Sequence, residues 1–201
     1  RGLMRRFSAG FGAMGGGPTG LALVRGVVLA GTKRCALGGR AFTKRIAQEF
    51  GLTFDVAEQM KIDYSGGRLH PEDAAKLSAL YTDDCRIWLG GVEISLSEFA
   101  ETDLLPSRIF LCGGGSALPG IKEALASPEW ADALPFARPP HISYLQPKDV
   151  ARIVDTTGEL NNPQDITPIG LAHLGLIEIL DQEKTLTQIL QRSMRAIEDN
   201  Q

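Results

Sequence analysis

The stretch IFLCGGGSALPGIKEAL, Ile109–Leu125, decides the reading of this chain. With Arg108 ahead of it, the run Ile109-Phe-Leu-Cys112 reads as a buried strand. It breaks at once on Gly113-Gly114-Gly115-Ser116, and helical spacing resumes from about Pro119. In α/β proteins, a strand that feeds a helix through glycines is where a phosphate or nucleotide binds. Glycine lets the backbone approach a ligand without Cβ interference, and N–H groups at a helix start face an anion. Ser116 is a candidate cap for that helix. The same pattern also describes an ordinary tight turn, and these residues alone weigh the two readings equally.

Upstream, GLALVRGVVLAGTKRCALGG (20–39) reads as short strands around a turn at Arg25-Gly26, stopped by Gly38-Gly39. AFTKRIAQEFG (41–51) places Phe42, Ile46 and Phe50 on one helix face, with Gly51 as the stop. Thr53 is placed to cap a second helix, and Pro71-Glu-Asp opens a third that runs to about Leu89. His141–Leu145 reads as another strand, 156–168 as a loop, and 168–181 and 184–198 as helices. The opening segment, 1–17, shows no strand or helix period. Its Gly10-Phe-Gly12-Ala-Met-Gly15 matches GxGxxG, but neither a preceding apolar strand nor a following helix supports a dinucleotide site.

The chain has 201 residues, 43% of them hydrophobic and 22% charged, which excludes a collagen, a coiled-coil rod and a wholly disordered chain. Charge is divided unevenly. Residues 1–48 hold nine Lys/Arg and no acid, while the remainder holds 12 bases against 24 acids. A basic end suits an anionic partner, although glycine-rich strands also leave little room for acids. Aromatic residues are 6% and do not interleave with the bases, so nucleic acid is not an expected partner. Cys35, Cys85 and Cys112 are too far apart for a CxxC metal site and suit a reducing cytoplasm. Trp88 and Trp130 read as packing residues, and Cys112 as a small buried hydrophobe. In AEQMK (57–61), Glu58 and Lys61 share a helix face. That spacing serves a surface ion pair, or a clamp with the acid on ribose hydroxyls and the base near a purine.

The order of these pieces resembles the second half of an actin-like ATPase of the actin and heat-shock-chaperone type (ribonuclease H-like). More narrowly, it is similar to the bacterial cell-division FtsA type and its relative, the type IV pilus PilM type. GGGPTGLALVRG, GGRAFTKRIA, AEQMK and LCGGGSALPGI follow one another as the family's motifs do, and the late ITPIGLAHLGL is similar to its closing segment. The resemblance spans residues 15–180. It implies an α/β fold, the second lobe of such an ATPase with a helical insertion. Residues 1–46 joined to 103–181 would form a nucleotide-proximal subdomain, 47–102 a mainly helical insertion over the purine, and 182–201 a C-terminal helix.

The resemblance also implies site residues. Gly15, Gly16, Gly17 and Thr19 fall on the phosphate loop, and Gly39 and Thr43 at the start of the next helix. Glu58 and Lys61 fall on the adenosine-contacting helix, and Gly113, Gly114, Gly115 and Ser116 on the adenosine loop. The implied cofactor is ATP with magnesium. However, Ala13 stands where the family's metal-organising aspartate would be, and Pro18 removes one N–H from the cradle. Hydrolysis by this chain alone is therefore expected to be poor. The implied output is filament formation, or recruitment of a tubulin-like division protein or of pilus assembly proteins. A sugar or small-acid kinase of the superfamily, and a structural module with a decayed site, are the other readings. FtsA-type proteins often end in a membrane-targeting helix. Here Leu186, Ile189, Leu190, Met194 and Ile197 line one face without an aromatic residue, which favours a packing helix over a peripheral membrane foot.

Overall fold

The computed structural model describes residues 8–26, 28–100, 104–151 and 153–179. The chain divides into two units after Ile166. The first is built on a five-stranded sheet: β1 (Ser8–Met14), β2 (Thr19–Arg25), β3 (Val28–Cys35), β4 (Arg108–Cys112) and β5 (His141–Tyr144), in the order β3-β2-β1-β4-β5. β1, β2 and β3 form an antiparallel meander, while β4 and β5 join parallel to β1. Three helices, α1 (Gly39–Phe50), α2 (Phe54–Ser65) and α3 (Pro71–Ala100), lie between β3 and β4, and the short α4 (Ile121–Ala126) and α5 (Pro128–Asp132) between β4 and β5. In the second unit, residues 167–179 are helical. The expected helix at 184–198 and the packing-or-membrane face from Leu186 to Ile197 lie outside the described residues.

The opening segment was expected to lack a strand, yet Ser8–Met14 is the central one. Its glycines explain both facts. Intrinsic preference for the extended state is weak there, and pairing with β2 on one side and β4 on the other imposes it. Leu111 Cδ2 would lie 3.2 Å from a Cβ on Gly12, so the glycine is the space that a neighbouring leucine fills.

α1 forms where the periodicity places it. Phe42 and Ile46 are buried, and Gly51 closes the helix in the left-handed region (φ 63°), its N–H on the Ala47 carbonyl. Thr53 Oγ1 accepts from Val56 N at 3.5 Å at the start of α2. α3 is longer than expected. It passes through Gly90-Gly91 and continues to Ala100. Gly91 is a contact glycine rather than a stop, because a Cβ there would lie 2.6 Å from Cys35 Sγ. Gly31 does the same on the strand side, with Phe99 Cε1 at 2.9 Å from its would-be Cβ. The second half of α3 is therefore seated on β3.

Trp88, Val92, Leu96, Leu105, Ile109, Leu111, Ile121 and Trp130 make the core between helix and sheet. Trp130 Nε1 donates to Leu125 O at 2.7 Å. Cys112 is buried, and burial raises its thiol pKa, as suits a hydrophobe and not a nucleophile. Tyr81 is packed against Phe42 and Tyr64 with ring centroids 5.2 and 5.1 Å away, and its hydroxyl is buried without a hydrogen-bond partner. Tyr81→Phe should therefore raise stability by about 1 kcal/mol, since it removes an unpaired buried hydroxyl and keeps the ring. A higher urea midpoint at unchanged m-value checks this.

Candidate functional site

β1 and β4 are parallel neighbours, so both C-terminal ends emerge at one edge of the sheet. Each ends in glycines, 15–17 after β1 and 113–115 after β4. This edge is where open α/β sheets bind ligands. α1 begins beside it. Its first N–H groups are taken by the β1 loop, with Gly39 N on Gly15 O at 2.9 Å and Arg40 N on Gly16 O at 2.8 Å.

The loop thus spends the Gly15 and Gly16 carbonyls on α1. The N–H groups of Gly15, Gly16 and Gly17 make no hydrogen bond among the described residues, and all three glycines are exposed. None has positive φ, and a Cβ on Gly15 or Gly17 would meet nothing within 4 Å. Neither backbone conformation nor the chain's own packing demands glycine at those two positions. The unfilled space and the unspent donors are what an anion would use.

The glycines after β4 have a different job. Gly113 (φ 86°) would put a Cβ 2.6 Å from Met14 O, and Gly115 would put one 2.9 Å from the same oxygen. They let the two loops touch, so their expected role of opening the backbone to a ligand falls to Gly114 alone, which is exposed. Ser116 is fully buried. It sits in a 3-10 turn (Gly114–Ala117) and donates to Gly113 O at 2.7 Å. It does not cap α4, whose N-cap is Gly120 in the left-handed region.

Thr19 is also displaced from its expected role. It is buried, donating to Leu37 O at 2.6 Å and accepting from Trp88 Nε1 at 3.0 Å. Its hydroxyl ties β2 to α3 and is not open to a phosphate. Thr19→Val keeps the shape and should cost about 1–2 kcal/mol, because the buried indole N–H loses its acceptor, while Leu37 O keeps the backbone N–H of residue 19 at 3.1 Å. Chemical denaturation measures this.

On α2, Glu58 and Lys61 do stand together, with Nζ to Oε2 at 2.7 Å. Lys61 is buried and donates further to Thr43 Oγ1 at 2.9 Å and Gly39 O at 3.3 Å. All three ammonium donors are spent, so Lys61 is a strut holding α2 to α1 rather than a base near a purine. Thr43 also hydrogen-bonds Glu58 Oε2, which leaves Oε1 as the carboxylate's open acceptor. Burial alone would raise the Glu58 pKa. The hydrogen bonds from Lys61 and Thr43 and the charges of Lys61 and Arg40 outweigh it and hold the pKa below the ordinary value.

A continuous rim results. The Gly15 carbonyl would lie 3.3 Å from a Cβ on Gly115 and 3.2 Å from one on Gly39, and Lys61 Nζ 3.5 Å from the latter. The four motifs are thereby strung along one edge. A larger hollow of ≈ 880 Å³ lies elsewhere, between α3 and residues 119–130, lined in part by Tyr64, Tyr81, Cys85, Arg86 and Trp130.

Sequence reasoning passed over Arg40, the second residue of α1. Its stem passes 3.6 Å from the would-be Cβ of Gly16, and its guanidinium stands 5.8 Å from the Phe54 ring centroid. The signal was present, a cation directly after Gly38-Gly39 in an acid-free segment.

No protein-family profile matches the sequence, and no curated protein matches it. Solved structures do match. A PilM-PilN type IV pilus biogenesis complex is similar over 86% of this chain and 47% of that one, at 25% identity and TM-score 0.58. The ethanolamine utilization protein EutJ from Carboxydothermus hydrogenoformans is similar over 67% of this chain and 44% of that one, at 21% identity and TM-score 0.46. The chain thus spans about half the length of the structures it matches. By its strand order and its likeness to the PilM-containing structure, the chain has the fold of the actin-like ATPase superfamily, in which it is similar to the PilM type.

Proposed function

We infer that the chain supplies the nucleotide-binding face of one lobe of an actin-like assembly protein, with ATP or ADP as a conformational switch. The observation that carries this reading is the glycine loop 15–17, whose three N–H groups are unspent and which lies on one rim with the open Oε1 of Glu58. The loop fits the anionic end of a nucleotide. Glu58 Oε1 fits a ribose hydroxyl, and exposed Ile62, one helical turn further along α2, offers an apolar surface for a base. Closing a second lobe on such a ligand changes the surfaces offered to neighbours, and this is how binding becomes assembly.

The residues fit magnesium less well. Ala13 at the end of β1 offers no oxygen from its side chain, and residues 1–48 contain no carboxylate. Among the described residues, no three His, Cys, Asp or Glu side chains gather into a metal-holding group. The reading is therefore a nucleotide-binding scaffold and not an efficient hydrolase.

The PilM likeness favours pilus assembly proteins as partners over the tubulin-like partner of an FtsA-type division protein. Filament formation is compatible with either. No described helix is long and apolar enough to cross a membrane.

The test is thermal unfolding with ATP, ADP and adenosine. Binding to the folded state at about 100-fold above Kd stabilises by about 2.7 kcal/mol and raises Tm accordingly. Gly15→Val should leave the free protein's Tm nearly unchanged, because a Cβ there meets nothing within 4 Å, and should remove the shift with ADP. The absence of a shift with any nucleotide at millimolar concentration would overturn the reading.

A further inference from the structure

We propose that Arg40 is the counter-charge for the phosphates at this rim, so that this chain holds a nucleoside polyphosphate without a divalent cation. The inference rests on the nucleotide reading above and adds the residue that decides between charged and uncharged ligands.

The argument is one of supply. A di- or triphosphate brings several negative charges to the 15–17 loop, and the loop's N–H groups carry only partial positive charge. The α1 dipole is already engaged, since its first N–H groups are bonded to Gly15 and Gly16 carbonyls. Lys61 is neutralised by Glu58 and saturated with acceptors. The protein offers a metal little to hold it: neither the loop nor α1 up to Gln48 contains a carboxylate, and Glu58 on α2 is already paired with Lys61.

Arg40 supplies a full charge at the loop. Arg40 is exposed, its stem lies along Gly16, and its guanidinium makes no hydrogen bond and no ion pair among the described residues. The Phe54 ring holds it near the loop without consuming its N–H groups. Its charge is also felt at Glu58, whose pKa it helps to depress, so it acts across the span between the loop and α2. A planar guanidinium with unspent donors suits paired phosphate oxygens, whereas a lysine at this position would act only as a point charge.

The experiment is calorimetric titration of the wild-type chain, Arg40→Gln and Arg40→Lys, with ADP and with adenosine, each in magnesium and in EDTA. Arg40 is exposed, so its variants should fold, and an unchanged Tm without ligand confirms it. The expected result is wild-type ADP affinity that EDTA changes less than about twofold. Arg40→Gln should weaken ADP by about 10- to 100-fold, the loss of a charge-assisted contact, while adenosine binding is unmoved. Arg40→Lys should recover part of the loss. If ADP binding collapses in EDTA while Arg40→Gln matches wild type, the proposal fails and the nucleotide reading stands. If wild type binds neither ADP nor adenosine, both fall together.

Discussion

Gly38→Ala should destabilise the chain by about 3 kcal/mol, a large effect for a single methyl group near the surface of the fold. Gly38 has extended backbone (φ −160°, ψ −168°), which alanine adopts freely, so conformation is not the obstacle. Space is. A Cβ would overlap the Gly17 carbonyl oxygen, stand 2.9 Å from the Gly17 carbonyl carbon, and lie 3.2 Å from Gly15 O. Every one of these is a backbone atom, and none can rotate away as a side chain would. The only relief is to lift the 15–17 loop off α1. That breaks the bonds from Gly39 N to Gly15 O and from Arg40 N to Gly16 O, and leaves the start of the helix unsatisfied. Guanidinium unfolding gives the free energy directly. Gly15→Ala is the control, since its Cβ meets nothing within 4 Å and should cost about 0.5 kcal/mol or less. Equal behaviour of the two variants would remove the claim that this loop is held by backbone contact.

These glycines also show how far the sequence could be read. Where periodicity and caps carry the signal, the elements stand where expected: Phe42 and Ile46 on α1, Thr53 before α2, Pro71 at the start of α3, and the β4 strand before its glycines. Glycine was the weak point, because one letter stands for several physical situations. At Gly91 it permits contact with Cys35 and does not end a helix. In Gly10 and Gly12 it occupies a central strand. In Gly113 and Gly115 it lets two loops meet. At Gly15 and Gly17 it faces open space in a loop whose N–H groups have no partner among the described residues. These cases are separated by neighbours distant in the chain, which spacing does not reveal. The allocation of hydroxyls and ammonium groups was hidden for the same reason. Thr19 is claimed by Trp88, 69 residues away, and Lys61 by Thr43 and Gly39, 18 and 22 residues away. The motifs fall along one edge of the sheet, and tertiary partners decide which members face outward.

Lys61→Met should cost about 2–3 kcal/mol, and the cost should depend on pH. Methionine matches the length of the lysine stem, so packing between α1 and α2 is largely kept, and what is lost is the ammonium. Gly39 O loses the ammonium donor, and the Glu58 carboxylate keeps only Thr43 as a hydrogen-bond donor. Breaking a fully buried pair costs about 3–5 kcal/mol. The Glu58 side chain is 37% exposed, so solvent screens part of that. The sign of the pH effect follows from the Glu58 pKa, which is lowered in the folded chain. Its stabilising contribution is complete above the unfolded value, 4.5, and is lost as pH falls through the lower folded value. The gap between wild type and Lys61→Met should therefore be widest near neutrality and narrow on acidification below about pH 4.5, where protonation removes what the variant already lacks. Glu58→Gln removes the titration while keeping an acceptor for Lys61 and should cost about 1 kcal/mol with a flatter acid limb. Urea midpoints of the three proteins across pH 3–8 separate these cases. A pH-independent gap between wild type and Lys61→Met would mean that the ammonium acts through its bonds to Gly39 O and Thr43 and not through Glu58, and that Glu58 owes its ionised state to Thr43 and Arg40 instead.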